Sequence, residues 1–84
     1  MKTETKDQLS RIFIKALRAN AGTKATVFLD FLGHINTISL EIHSKGWKPE
    51  GTWDIERRYS FRRDGIDKLN AMEAELDKLM EIKI

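Results

Sequence analysis

The sequence predicts one α+β domain in the order α-β-β-β-α, a three-stranded antiparallel meander with two helices packed on one face. Three observations predict it. Apolar residues recur at helical spacing near both ends of the chain, they alternate at strand spacing between them, and glycines or a proline separate the segments. The 84 residues, 40% hydrophobic and 33% charged, have the composition of a single globular domain, residues 1–84.

The first helix is predicted to begin near Lys6, because Thr5 and Gln8 have the spacing of a capping box. Gly22 is expected just past its end, in the left-handed conformation that often follows a helix. Apolar residues at intervals of three and four positions define the side of this helix that we expect in the core: Leu9, Ile12, Phe13, Ala16 and Leu17.

Residues 26–43 predict a β-hairpin in which Gly33 and His34 form a two-residue turn and Gly33 has a positive φ. This register places Leu29 opposite Ile38. One face of the hairpin is then entirely apolar: Val27, Leu29, Phe31, Ile38, Leu40 and Ile42. A slip of one residue would divide this set between two faces, so the pattern specifies which face is buried.

Residues 53–61 predict the third strand, after a loop that contains the only proline. Arg57 falls on the apolar side of this strand, and we expect it near a sheet edge with its aliphatic stem packed and its guanidinium in water. Asp64 is the predicted N-cap of the last helix. The apolar side of that helix is formed by Ile66, Leu69, Met72, Leu76 and Leu79. The last four of these also have the spacing of a short coiled-coil seam.

The opposite face of the predicted sheet holds apolar residues that the helices leave uncovered. Phe28, Leu32 and Ile35 point to this face, and Trp47 lies in the loop that follows the hairpin. Exposed apolar side chains at one end of a sheet are typical of a protein interface, although a loop folding over them is an alternative. We expect these four residues to contact another protein or a second copy of the chain.

Basic residues predict a different function, nucleic-acid binding. Six side chains would form that site: Lys45, Lys48, Arg57, Arg58, Arg62 and Arg63. The element order also resembles that of the double-stranded-RNA-binding domain, which implies RNA contacts from the first hairpin loop and from the start of the last helix. Asp64 and Asp67 interrupt that helix start, where the family has a run of lysines. Pairing of the arginines with nearby carboxylates is the competing interpretation.

No residue pattern predicts catalysis, a metal site or a cofactor. Cysteine is absent, and neither His34 nor His43 has the spacing of a metal ligand. Glu73 and Glu75 are expected on a solvated helix face. No segment approaches the roughly 18 apolar residues of a membrane span, and the net charge is only +2. We therefore expect a cytoplasmic, non-enzymatic binding protein without a cofactor or membrane contact.

The segment from Phe31 to Trp47 resembles a pattern found in small uncharacterised proteins of Gram-positive phages and prophages. In those proteins a glycine–histidine hairpin, here Gly33-His34, precedes an alternating strand and a glycine–tryptophan pair, here Gly46-Trp47. The resemblance implies an intracellular accessory protein of a mobile element that binds host or phage macromolecules. It implies no activity for any residue.

Overall fold

Two helices cover one face of a three-stranded antiparallel sheet. A computed structural model describes residues 2–49 and 51–81. The elements, in chain order, are α1 (Thr3–Gly22), β1 (Thr26–Leu32), a 3-10 turn (Gly33–Ile35), β2 (Thr37–His43), β3 (Ile55–Ser60) and α2 (Ile66–Glu81). The strand order is β1-β2-β3, and the helices contact each other and the sheet. The predicted α+β fold is therefore confirmed.

The pairing of β1 with β2 differs from the predicted register by two residues. Leu29 pairs with Leu40, and not with Ile38. The connection contains a 3-10 turn, after which Asn36 has the left-handed conformation (φ 50°, ψ 50°) that was expected of Gly33. Because side chains alternate with a period of two, a slip of two residues leaves every side chain on its predicted face. The predicted apolar surface therefore forms despite the wrong turn.

The core lies between this surface and the helices. Its largest fully buried side chains come from α1, β2 and α2: Ile12, Leu40, Ile42, Leu69, Met72 and Leu76. Burying a side chain of this size contributes about 1.5–3 kcal/mol relative to leaving it exposed. The coiled-coil spacing of α2 is thus used inside the domain, against its own sheet.

The helix ends differ from the predicted ones. α1 already begins at Thr3, so the predicted capping box at Thr5 is wrong, and Gly22 ends α1 without a positive φ. Asp64 accepts a hydrogen bond from the Ser60 N–H at 2.8 Å and so closes the turn between β3 and α2. It lies two positions before the first helical residue of α2 and does not cap that helix.

Gln8, the other half of the predicted capping box, is a contact between the helices. It is only 5% exposed. Its Nε2 donates to Asn70 Oδ1 at 2.8 Å and to Glu73 Oε1 at 3.1 Å, both on α2. Ala16 and Ala19 are buried on the core side of α1, and their small side chains allow the helix to approach the core closely.

Candidate protein-interaction surface

Three large apolar side chains on α1 point away from the core. Phe13 and Leu17 are each 55% exposed and Ile14 is 47% exposed, although Phe13 and Leu17 were predicted to be buried. Together with Ser10 and Ala21 they occupy one uncharged face of the helix over about three turns. An uncharged apolar face in contact with solvent is typical of an interaction site.

Asn20 fixes the position of α1 relative to β1. Its Nδ2 donates to the Val27 carbonyl at 3.0 Å, and its Oδ1 accepts from the Val27 N–H at 2.8 Å. Since β1 is an edge strand with β2 on its other side, these bonds occupy backbone groups on the open side of the sheet. Asn20 therefore holds the end of α1 alongside the edge of the sheet and covers part of that edge.

The rise of a helix and of a strand sets Phe13 and Phe31 at a similar level along the open edge of the sheet. Phe13 precedes Asn20 by about two helical turns, so it projects from nearly the same side of α1, roughly 10 Å along the helix axis. Phe31 is roughly 13 Å beyond Val27 in the same direction, because the short connection at residues 23–25 reverses the chain. Phe31 is 62% exposed, and its ring packs against that of Phe61 with the centroids 5.9 Å apart. We name this surface the α1 flank: Phe13, Ile14, Leu17 and Phe31.

The four residues predicted as interface contacts lie at the two ends of the sheet. Phe28 is 39% exposed and packs edge-on against the buried His43, with ring centroids 5.6 Å apart. Trp47 lies in the loop at this end. Leu32 is half-buried at the opposite end of β1, and Ile35 belongs to the 3-10 turn. About 13 Å of strand separates Phe28 from Leu32, so the four residues do not form one continuous patch.

The six predicted nucleic-acid contacts are also divided. Lys45 and Lys48 are exposed in the loop before β3, whereas Arg62 and Arg63 are exposed just after β3 ends. The six residues of β3 separate the two pairs by roughly 20 Å. The structure therefore does not bring the predicted basic residues together at one point.

The two arginines within β3 pair with carboxylates, as the competing interpretation expected. Arg57 Nη2 lies 2.7 Å from Glu75 Oε2 on α2, and Arg58 Nε lies 3.5 Å from Glu56 Oε2. Arg57 is on an edge strand with 43% of its side chain exposed, in agreement with its predicted location. These pairs reduce the positive charge that β3 presents to a phosphate.

Glu73 joins the two helices through a cluster of charges. Its carboxylate accepts hydrogen bonds from Arg11 Nε at 3.1 Å, Lys15 Nζ at 2.8 Å and Gln8 Nε2 at 3.1 Å. These bonds lower the pKa of Glu73 to about 2, and the bond from Arg11 has the largest effect. Burial of the carboxylate opposes the shift. The Glu73 side chain is 13% exposed and Glu75 is 9% exposed. The predicted solvated face at these two residues is therefore wrong.

The described part of the domain also has two surface cavities. One of about 690 Å³ opens where both helices begin, and aromatic side chains of Tyr59 and Phe61 line it together with Glu4 and Asp64. The other, of about 410 Å³, lies in the loop between β2 and β3. Residues 2–49 and 51–81 contain no group of three His, Cys, Asp or Glu side chains placed to hold a metal ion.

Two hydrogen bonds at the loop cavity join Ser44 to Asp54. Ser44 donates to the Asp54 carboxylate through its N–H at 2.8 Å and through Oγ at 2.6 Å. The bond from the Ser44 hydroxyl is the main reason that the pKa of Asp54 is lowered. The serine proton therefore points to the carboxylate and not to the neighbouring His43, an arrangement that closes a loop and does not activate a nucleophile.

Comparisons of this chain with protein-family models, with curated proteins and with solved structures gave no match. Neither of the two helices in the described residues is long and apolar enough to cross a membrane.

Sequence analysis missed the α1 flank because it assigned Phe13 and Leu17 to the core. The apolar residues between Leu9 and Ala19 occupy more than half of the helix circumference, which is wider than one buried stripe of roughly 100°. The extra width of this apolar surface was the signal present in the sequence. It indicates that α1 has a second apolar side, but not which of the two sides is buried.

Proposed function

We propose that this chain is a non-enzymatic protein-binding domain that contacts its partner through the α1 flank. The observation that carries the proposal is the exposure of Phe13, Leu17 and Phe31, each of which has more than half of its surface in solvent. Covering apolar surface gains about 25 cal/mol per Å², so a partner that covers this flank would be bound favourably. Phe28 and Trp47, at one end of the sheet, lie outside this proposed contact.

Nucleic-acid binding is the second candidate, and one observation favours it. The Phe61 N–H donates to the Asn36 carbonyl at 3.0 Å, which places Arg62 and Arg63 near the first hairpin loop. The resemblance to the double-stranded-RNA-binding domain implicates the same two regions. We rank this function second because Lys45 and Lys48 lie at the far end of β3 and because Arg57 and Arg58 are paired.

The cellular context of the proposal rests on the resemblance to phage proteins. The Gly33-His34 and Gly46-Trp47 pairs support an intracellular accessory role in a mobile element, where a small domain acts by binding other macromolecules. The absence of cysteine fits a reducing cytoplasm.

Affinity capture from cells that express the gene separates the two candidates. We expect the wild-type protein to capture a partner. The double variant Phe13→Ser with Leu17→Ser should capture at least tenfold less of this partner, because two apolar contacts are removed from the flank. The matched control, Arg62→Glu with Arg63→Glu, also changes two exposed residues and should retain that partner. Loss of the partner with the control or after nuclease treatment, but not with the serine variant, would instead support nucleic-acid binding.

A further inference from the structure

We propose that the open edge of β1 at Leu29–Phe31 binds an extended segment of a partner protein, which joins the sheet as an antiparallel fourth strand. This inference rests on the proposed function and states the chemistry of the partner, a segment in which apolar and basic residues alternate. Three properties of the edge support it: its backbone groups are free, the opposite edge of the sheet is largely closed, and its side chains complement such a segment.

The bonds from Asn20 show which backbone groups of β1 face the open edge. Asn20 bonds the N–H and the C=O of Val27 from outside the sheet. Alternate residues of an antiparallel strand turn both groups to the same side, and β1 pairs with β2 without a bulge, so Leu29 and Phe31 also turn theirs outward. Among the described residues, no hydrogen bond reaches the N–H or C=O of these two residues from that side. These groups are free to pair with another strand.

The edge formed by β3 has the same alternation of backbone groups. The Phe61 N–H donates to the carbonyl of Asn36, the residue just before β2, so Phe61 turns its N–H towards β2. The pairing of β3 with β2 continues from there without a bulge, and the preceding residues therefore alternate between the two sides. The residues of β3 whose backbone groups turn outward are Glu56, Arg58 and Ser60.

Neighbouring groups occupy most of this second edge. The Asp64 carboxylate accepts from the Ser60 N–H at 2.8 Å, and the Ser60 carbonyl accepts from the Asp64 N–H at 3.0 Å. Arg57 Nη1 donates to the Glu56 carbonyl at 2.7 Å. On this edge, Arg58 alone keeps both backbone groups free of described partners, and a single residue does not support continuous pairing. A strand can therefore be added at β1 and not at β3.

The side chains along the β1 edge define the segment that would bind. On the side that faces the helices, Leu29 is half-buried and Phe31 is 62% exposed, so both offer apolar surface. On the opposite side, Asp30 is exposed and forms no ion pair with any described residue. Side chains directly opposite each other in an antiparallel pair have Cβ atoms about 5 Å apart. Apolar residues beside Leu29 and Phe31 and a lysine or arginine beside Asp30 therefore complement this edge.

The charge of Asp30 disfavours a second copy of this chain as the added strand. Only an antiparallel register centred on Asp30 pairs the free residues of two β1 strands with each other, Leu29 of one copy opposite Phe31 of the other. That register places the two Asp30 carboxylates directly opposite each other on one face of the sheet. Like charges in this position are destabilising. We therefore assign the added strand to a different protein, with a basic residue at this position.

A synthetic peptide tests this arrangement. The probe is a capped peptide of alternating valine and lysine, whose valine N–H groups would turn to β1 and whose lysine backbone N–H groups would turn away. NMR of labelled protein should show slower amide hydrogen exchange at Leu29 and Phe31 when the peptide is added, with Arg58 unchanged. No protection at these two residues at millimolar peptide would overturn the proposal.

Methylated peptides provide the matched control. Methylation of the valine amide nitrogens should weaken binding by roughly tenfold, because it removes hydrogen bonds to the edge of β1. Methylation of the lysine amide nitrogens should leave the affinity unchanged, because these groups face away from β1. Equal affinities for the two methylated peptides would contradict strand addition.

Two variants of Phe31 separate its backbone group from its ring. Phe31→Pro removes the outward N–H, a change that an edge strand tolerates, whereas Phe31→Ala keeps the N–H and removes the ring. Phe31→Pro should therefore bind the valine–lysine peptide several-fold more weakly than Phe31→Ala, and the two circular dichroism spectra should agree. Asp30→Lys should reverse the charge preference, so that a valine–glutamate peptide binds better than the valine–lysine peptide. Equal binding by the two Phe31 variants, or an unchanged charge preference, would count against the edge of β1.

Self-pairing of the edge would have a different signature. Protection of Leu29 and Phe31 that rises with protein concentration in the absence of peptide would assign the edge to a second copy and overturn the partner segment. The proposed function fails on a separate result: it fails when Phe13→Ser with Leu17→Ser retains every captured protein, whatever the peptide does.

Discussion

Replacing Leu40 with alanine is expected to lower the free energy of unfolding by about 2–5 kcal/mol, because the substitution leaves a cavity in the centre of the core. Leu40 is fully buried on the middle strand, between Leu29 on β1 and Arg57 on β3. Urea unfolding followed by circular dichroism measures the change.

The neighbouring residue provides the control for this prediction. Ser39 points to the opposite face of the sheet and is 4% exposed. Ser39→Ala removes only a hydroxyl group, so its effect should stay within about 1 kcal/mol. Equal effects at the two positions would contradict the assignment of faces in β2.

Replacing Glu73 with glutamine is expected to lower the free energy of unfolding by about 1–3 kcal/mol at pH 7. The substitution removes the negative charge that Arg11 and Lys15 share, and Lys15 is left with Asp77 alone. The effect is smaller than that of a fully buried ion pair, because Arg11 is 54% exposed and solvent weakens its pairing with Glu73.

The same residue predicts a dependence on pH. The pKa of Glu73 is lowered from 4.5 to about 2 in the folded protein, so its contribution is complete above about pH 4.5 and is lost as the pH falls towards 2. The stability difference between wild type and Glu73→Gln should therefore shrink over this interval. Parallel pH profiles for wild type and Glu73→Gln would contradict the role of this carboxylate.

The strands could be predicted from sequence more fully than the turn between them. Alternation from Val27 to Ile42 fixes which side chains share a face, but registers that differ by two residues satisfy that pattern equally well. The choice between them depended on whether Gly33 or Asn36 takes the left-handed conformation. Both residue types tolerate it, so local sequence does not decide.

The orientation of α1 could not be predicted, because it depends on α2. Both sides of α1 offer apolar residues, and the buried side is set by contacts more than 50 positions away in sequence, from Gln8 to Asn70 and from Lys15 to Glu73. Propensity and periodicity describe one helix at a time and contain no information on such partners. The α1 flank was missed for this reason, because it is the side of α1 that these contacts leave exposed.

An NMR titration with the partner captured from cells tests the α1 flank most directly. Amide resonances of uniformly labelled protein would be recorded while the unlabelled partner is added in steps. We predict progressive shifts at Phe13, Ile14, Leu17 and Phe31, with Phe28 and Trp47 unchanged. Shifts confined to Phe28, Leu32, Ile35 and Trp47, with α1 unaffected, would contradict the α1 flank as the binding surface and would assign binding to the outer face of the sheet.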